Sequence, residues 1–116
     1  MVEYIEPGSW SSRAVIHNGV VYLSGVVADD KTLSMAGQTE QILKKIDKVL
    51  KKAGSDKTKI LSAVIYLADM DLKDEMNEVW ISWIDPAHLP ARAAVGVDLT
   101  LGTLVEIKVE ATIQTT

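Results

Sequence analysis

The chain begins and ends in short runs that alternate apolar and polar residues, and between them apolar residues recur every three or four positions. "RAVIHNGVVYLSGVVA" places two β-rich runs around Asn18-Gly19. That dipeptide tolerates the positive φ angles of a type I′ turn, so the pattern predicts a hairpin of strands over 13–17 and 20–27. Gly25 interrupts the second run, which predicts a bulge or a close backbone approach. Ile42, Leu43, Ile46, Val49, Leu50 and Ala53 then form one helical stripe opposite a lysine-rich face. Ser34 is placed to cap this helix and Gly54 to stop it. The nearly continuous apolar run "KILSAVIYLA" predicts a central strand over 59–68.

A second helix follows, with Asp71 as its expected cap and Leu72, Met76, Val79, Trp80, Trp83 and Ile84 as its apolar stripe. Asp85-Pro86 ends it, because proline disfavours helical geometry at the residue before it. Strands are predicted over 92–99 and 104–113. In the first, Ala93, Val95, Val97 and Leu99 oppose Arg92, Ala94, Gly96 and Asp98. In the second, Val105, Ile107, Val109, Ala111 and Ile113 oppose a side carrying Glu106, Lys108 and Glu110. The element order is ββαβαββ. The fold class is a two-layer α+β sandwich with both helices on the apolar face of a mixed sheet, and its other face meets either water or another subunit.

Length and composition narrow the class. The 116 residues fit one domain, and 47% hydrophobic residues are too many for a disordered chain. A net charge of −4 attracts neither nucleic acid nor an anionic membrane. No cysteine is present, which excludes disulfides, thiolate metal sites and a cysteine nucleophile, and fits a reducing cytoplasm. "MVEYIEPGSW" lacks the basic and apolar regions of a secretory signal, and no apolar run reaches the ~20 residues that cross a bilayer.

Candidate chemistry is sparse. No glycine-rich phosphate loop occurs, and neither His17 nor His88 has neighbours at metal-ligand spacing. Both histidines read as surface residues. Trp80 and Trp83 fall on the stripe that the second helix buries, so they read as core. Trp10 lies in an irregular segment, where lining a pocket and simple packing compete evenly. The lysine-rich helix, interrupted by Glu40 and Asp47 and lacking interleaved aromatics, reads as a solvated face. Arg92 and Glu106 stand out at the head of two strands expected to lie close together. On spacing alone they are an ordinary ion pair on a wet sheet. The alternative is an arginine fork for a substrate carboxylate, with a glutamate that positions or deprotonates water.

The segment "LPARAAVGVDLTLGTLVEIKVEA" resembles the C-terminal signature of the Rid, or YjgF, family of reactive-intermediate deaminases. "VVYLSGVV", "GQTEQILKKIDKVLKKAGSDKTKILSAVIYLADM" and "MNEVWISWI" resemble its Ser-Gly strand, its first helix and central strand, and its second helix. The resemblance runs from about residue 11 to 113. It implies a chorismate-mutase-like fold and a homotrimer with clefts between subunits. It also implies cofactor-free hydrolysis of enamine and imine acids such as 2-aminoacrylate to 2-oxo acids and ammonia. By motif match, Arg92 would hold the small carboxylate substrate and Glu106 would handle water. Ser24 and Gly25 would line the cleft, and Asn77 would contribute to it.

Four positions depart from the family pattern. Ala94 stands where many deaminases carry cysteine, and Val26 follows Ser24-Gly25 in place of glutamine. Leu99-Thr100 replaces Leu-Pro. The family's N-terminal tyrosine aligns with Ser11, or with Trp10 after a one-residue shift. Two other readings stay open: a trimer that binds small carboxylates without turnover, and an RNA-directed translation inhibitor or nuclease, against which the acidic composition argues.

Overall fold

The computed structural model describes residues 1–113. Its strands are β1 (Glu3–Pro7), β2 (Ser12–His17), β3 (Val20–Leu23), β4 (Val26–Val27), β5 (Ile60–Leu67), β6 (Ala91–Gly96) and β7 (Val105–Thr112), with helices α1 (Met35–Lys52) and α2 (Lys73–Trp83). The strands form one mixed sheet in the order β1-β2-β3-β7-β5-β6, and β4 also pairs with β7. The two-layer α+β reading holds. The element order gains β1, which was not expected. This strand is an edge strand that packs only Ile5 against the core, so its sequence shows little alternation.

The hairpin of β2 and β3 turns where expected, with Asn18 at φ 51° and Gly19 at φ 76°. The predicted strand over 20–27 is split in two. Tyr22 pairs with Glu110 and Val26 with Ile107, so this strand spends one more residue than β7 over the same stretch. The extra residue makes a bulge at Ser24-Gly25.

Helix α1 begins at Ser34, whose side chain accepts a hydrogen bond from the Gly37 amide at 3.2 Å, and stops before Gly54 at φ 83°. Helix α2 starts differently from the prediction. Asp69, not Asp71, caps a short 3-10 turn over Met70–Leu72, and α2 follows from Lys73 with no side-chain cap. The apolar stripe of α2 is as expected: Met76, Trp80 and Ile84 are buried, while Leu72, Val79 and Trp83 pack against the core.

The largest correction concerns the last two strands, which are not neighbours. β5 lies between them, paired parallel to β6 and antiparallel to β7. The physical reason is the connection: a parallel neighbour needs a long crossover, and α2 supplies one between β5 and β6. The side of β6 that faces the helices is also the reverse of the apolar-in expectation. Ala63, Ile65 and Leu67 of β5 are buried, and they pair with Arg92, Ala94 and Gly96. Those three β6 residues therefore share the helix side. Ala93 and Val95 join Val64 and Tyr66 on the sheet face that no helix covers. An edge strand is only partly overlaid by α2, so burial does not dictate which of its two sides is apolar.

Candidate functional site

Glu106 sits on the open sheet face, opposite Val27 of β4 and Tyr66 of β5. It comes from the side of β7 that alternates with the buried Val105 and Ile107. Its carboxylate lies over the bulge: a Cβ placed on Gly25 would overlap one carboxylate oxygen and come within 3.0 Å of Cδ. Gly25 is thus the close approach expected from the sequence. The bulge is tied to β2, since the Ser24 hydroxyl donates to the Ser12 carbonyl at 2.5 Å and the Ser24 amide to the Arg13 carbonyl at 3.0 Å. Among the described residues, the Glu106 carboxylate has no hydrogen-bond or ion-pair partner.

The same bulge forms a wall of a cavity of about 360 Å³, bounded by Glu6, Trp10, Ser11, Arg13, Ser24 and Gly25. Trp10 is 93% exposed, so it lines the cavity and takes no part in the core. Ser11 lines it too. Glu6 adopts φ 48° and is joined to Lys52 at the end of α1 by a 2.9 Å ion pair. That hydrogen-bonded ammonium holds the Glu6 carboxyl below the usual carboxylate range.

Arg92 lies on the opposite face. Its guanidinium carbon is 5.5 Å from the centroid of the Trp80 ring, and Trp80 is only 5% exposed. Partial burial there lowers the Arg92 pKa from its ordinary value, although an arginine stays charged at any physiological pH. No carboxylate pairs with it among the described residues. Asn77 precedes Trp80 by three residues on α2, and its Oδ1 is buried without a hydrogen-bond partner among the described residues. Ala94 follows Arg92 on the same side of β6.

The candidate residues thus fall into two groups. One contains Glu106, Ser24, Gly25 and the Trp10 cavity, and the other contains Arg92, Ala94 and Trp80, with Asn77 three residues before Trp80 on α2. One chain does not bring Arg92 and Glu106 together, because β5 and the thickness of the sheet separate them. An unpaired guanidinium fork suits a carboxylate, and an unpaired carboxylate suits a water molecule or an N–H group. The Arg92–Trp80 contact was not expected, since a stripe position on α2 already explains a buried tryptophan.

The other candidates behave as surface groups. His88 contacts Asp85 at 3.2 Å on the surface, and His17 is exposed beside its turn. Lys45 and Lys52 of α1 pair with Asp29 and Glu6. Among the described residues, no three His, Cys, Asp or Glu side chains gather as a metal site, and no helix is long and apolar enough to cross a membrane.

The model of the family described as endoribonuclease L-PSP matches residues 4–113. A RutC family protein of Haemophilus ducreyi is 40% identical over 95 residues, covering 82% of this chain and 81% of its own length. The crystal structure of NMB1025, a YjgF family member from Neisseria meningitidis, is similar with TM-score 0.96 at 39% identity, covering 100% of this chain and 98% of that one. Reactive Intermediate Deaminase A of Arabidopsis thaliana is 34% identical over 109 residues, spanning 88% of this chain and 58% of the plant protein.

Proposed function

The chain belongs to the endoribonuclease L-PSP (YjgF/RutC) family, and from that premise we propose that it hydrolyses small enamine and imine acids at clefts between subunits. The observation that carries the proposal is the split of the site. Among the described residues Arg92 and Glu106 both lack an ion-pair partner and lie on opposite faces of one sheet, which supports a cleft completed by a second copy. In a closed ring each chain presents its Glu106 half to one neighbour and its Arg92 half to the other. A homotrimer is the smallest ring of this kind that agrees with the family resemblance. The open face, with Ala93, Val95, Val64 and Tyr66 on it, supplies apolar surface for such contacts.

The chemistry asks little of the protein. An enamine such as 2-aminoacrylate tautomerises to an imine whose C2 is electrophilic. Arg92 binds the carboxylate through two parallel N–H···O bonds and fixes C2. Glu106 takes a proton from water as the oxygen bonds to C2, giving a carbinolamine. The proton that Glu106 took completes the carbinolamine amine. Glu106 then takes the hydroxyl proton and passes it to the same nitrogen, the C–N bond breaks, and ammonia leaves as the C2=O bond of the 2-oxo acid forms. Each step balances without an oxidant or a cofactor.

The direct test measures ammonia release from freshly generated 2-aminoacrylate and other imino acids. Turnover well above buffer, lost in Arg92→Ala with assembly intact, is the expected result. A wild-type rate equal to buffer on all of them overturns the proposal. One feature favours a second reading, in which the cleft binds 2-oxo acids without turnover. Ala94 and Val26 leave it with fewer polar side chains than the family pattern has. Calorimetric binding of 2-oxobutyrate with no ammonia release from any imino acid selects that reading.

A further inference from the structure

We infer that Trp80 is a positioning residue for Arg92, its indole face acting as the platform that holds the guanidinium ready for a carboxylate. The inference rests on the carboxylate role proposed for Arg92. An arginine side chain has several rotatable bonds and gains affinity for a carboxylate only when its fork is already in place. Carboxylate partners usually provide that restraint, but Arg92 has none among the described residues. Its guanidinium carbon instead lies 5.5 Å from the Trp80 ring centroid, within the range in which a cation is drawn to the negative face of an indole.

Trp80 is itself fixed. It is 5% exposed, and its ring centroid lies 5.5 Å from that of Trp83, with the two planes tilted by 55°. Trp83 is anchored in turn, as its indole N–H donates to Asp47 at 3.0 Å on α1. Arg92 thus rests on a chain of contacts that ends in the first helix. The platform restrains the guanidinium without neutralising it, leaving its N–H groups free for the ligand. An acidic partner in the same place would compete with the substrate carboxylate. Partial burial against the ring also weakens competition from water, consistent with the lowered pKa of Arg92.

The test measures calorimetric binding of 2-oxobutyrate to the assembled protein, with tryptophan analogues carrying one to four ring fluorines inserted at position 80 alone. Fluorination keeps the shape of the ring and weakens its negative face. The expected result is a stepwise loss of affinity, reaching about 3- to 30-fold at four fluorines, with Tm unchanged. Trp80→Tyr should stay close to wild type, and Trp80→Leu should show the full loss. Equal affinity across the fluorinated series overturns the inference, as does equal loss in Trp80→Tyr and Trp80→Leu, which would mean packing alone. Arg92→Ala separates the two levels. If it binds 2-oxobutyrate like wild type, the carboxylate role fails and the inference with it. If it loses binding while the fluorinated series stays flat, only the role of Trp80 fails.

Discussion

Gly25 and Glu106 meet across the bulge between β3 and β4, so closely that any Cβ at position 25 would overlap the Glu106 carboxylate. The crowded atom is the end of a flexible side chain, so a larger residue displaces Glu106 at little cost to the backbone. Gly25 lacks the positive φ that would strain alanine.

Gly25→Ala is therefore expected to separate stability from function. Its Tm should stay within about 4 °C of wild type, because no core contact is lost. Imine hydrolysis should fall by about 10²-fold, as a base displaced by about 1 Å no longer addresses the water. Thermal melts and ammonia assays on the same preparation check both halves.

Gln38 makes the opposite case. It is fully buried on α1, where its Nε2 donates to the Gly102 carbonyl at 3.0 Å and its Oε1 accepts from the Leu104 amide at 2.9 Å. These bonds hold the loop that returns the chain to β7, just before Glu106. Gln38→Leu leaves the part-buried Gly102 carbonyl and Leu104 amide without this partner and should cost about 2–4 kcal/mol, lowering Tm by about 10 °C. Calorimetric melting measures it directly.

Several aspartates titrate below their usual range. A hydrogen bond from the Thr58 hydroxyl lowers the Asp56 pKa, and one from the Ala87 amide lowers that of Asp85. A depressed carboxyl stabilises the fold above its unfolded pKa, and the contribution disappears as pH falls through the folded value. Tm should stay level from pH 8 down to about pH 5 and decline below about pH 4. Asp56→Asn should lower Tm at neutral pH and make the acid decline shallower, a difference that melts at matched ionic strength will show.

The sequence made most of this fold legible because local pattern carries local structure. Asn18-Gly19 marked the turn, Gly25 the close approach, and the apolar stripes the buried faces of both helices. Pattern is silent on which strands are neighbours. Alternation in β6 and β7 told which residues share a side of each strand, but only the α2 crossover puts β5 between them. It also could not tell which side of an edge strand such as β6 meets the helices, so Arg92 and Glu106 read as two charges on one face. β1 is not legible along the chain because an edge strand with one packed residue has almost no pattern. Trp80 is core, as its place on the α2 stripe predicts. Its contact with Arg92 depends on strand order and could not be seen along the chain.

The central claim is that each active cleft takes Glu106 from one chain and Arg92 from another. Arg92→Ala and Glu106→Gln proteins should each assemble, and each should be inactive alone. Co-expressed in equal amounts and purified as mixed trimers, they should regain about a third of the wild-type ammonia-release rate, since one of the three clefts in each mixed ring pairs an intact Arg92 with an intact Glu106. Mixed rings that stay as inactive as the separate variants would contradict the account.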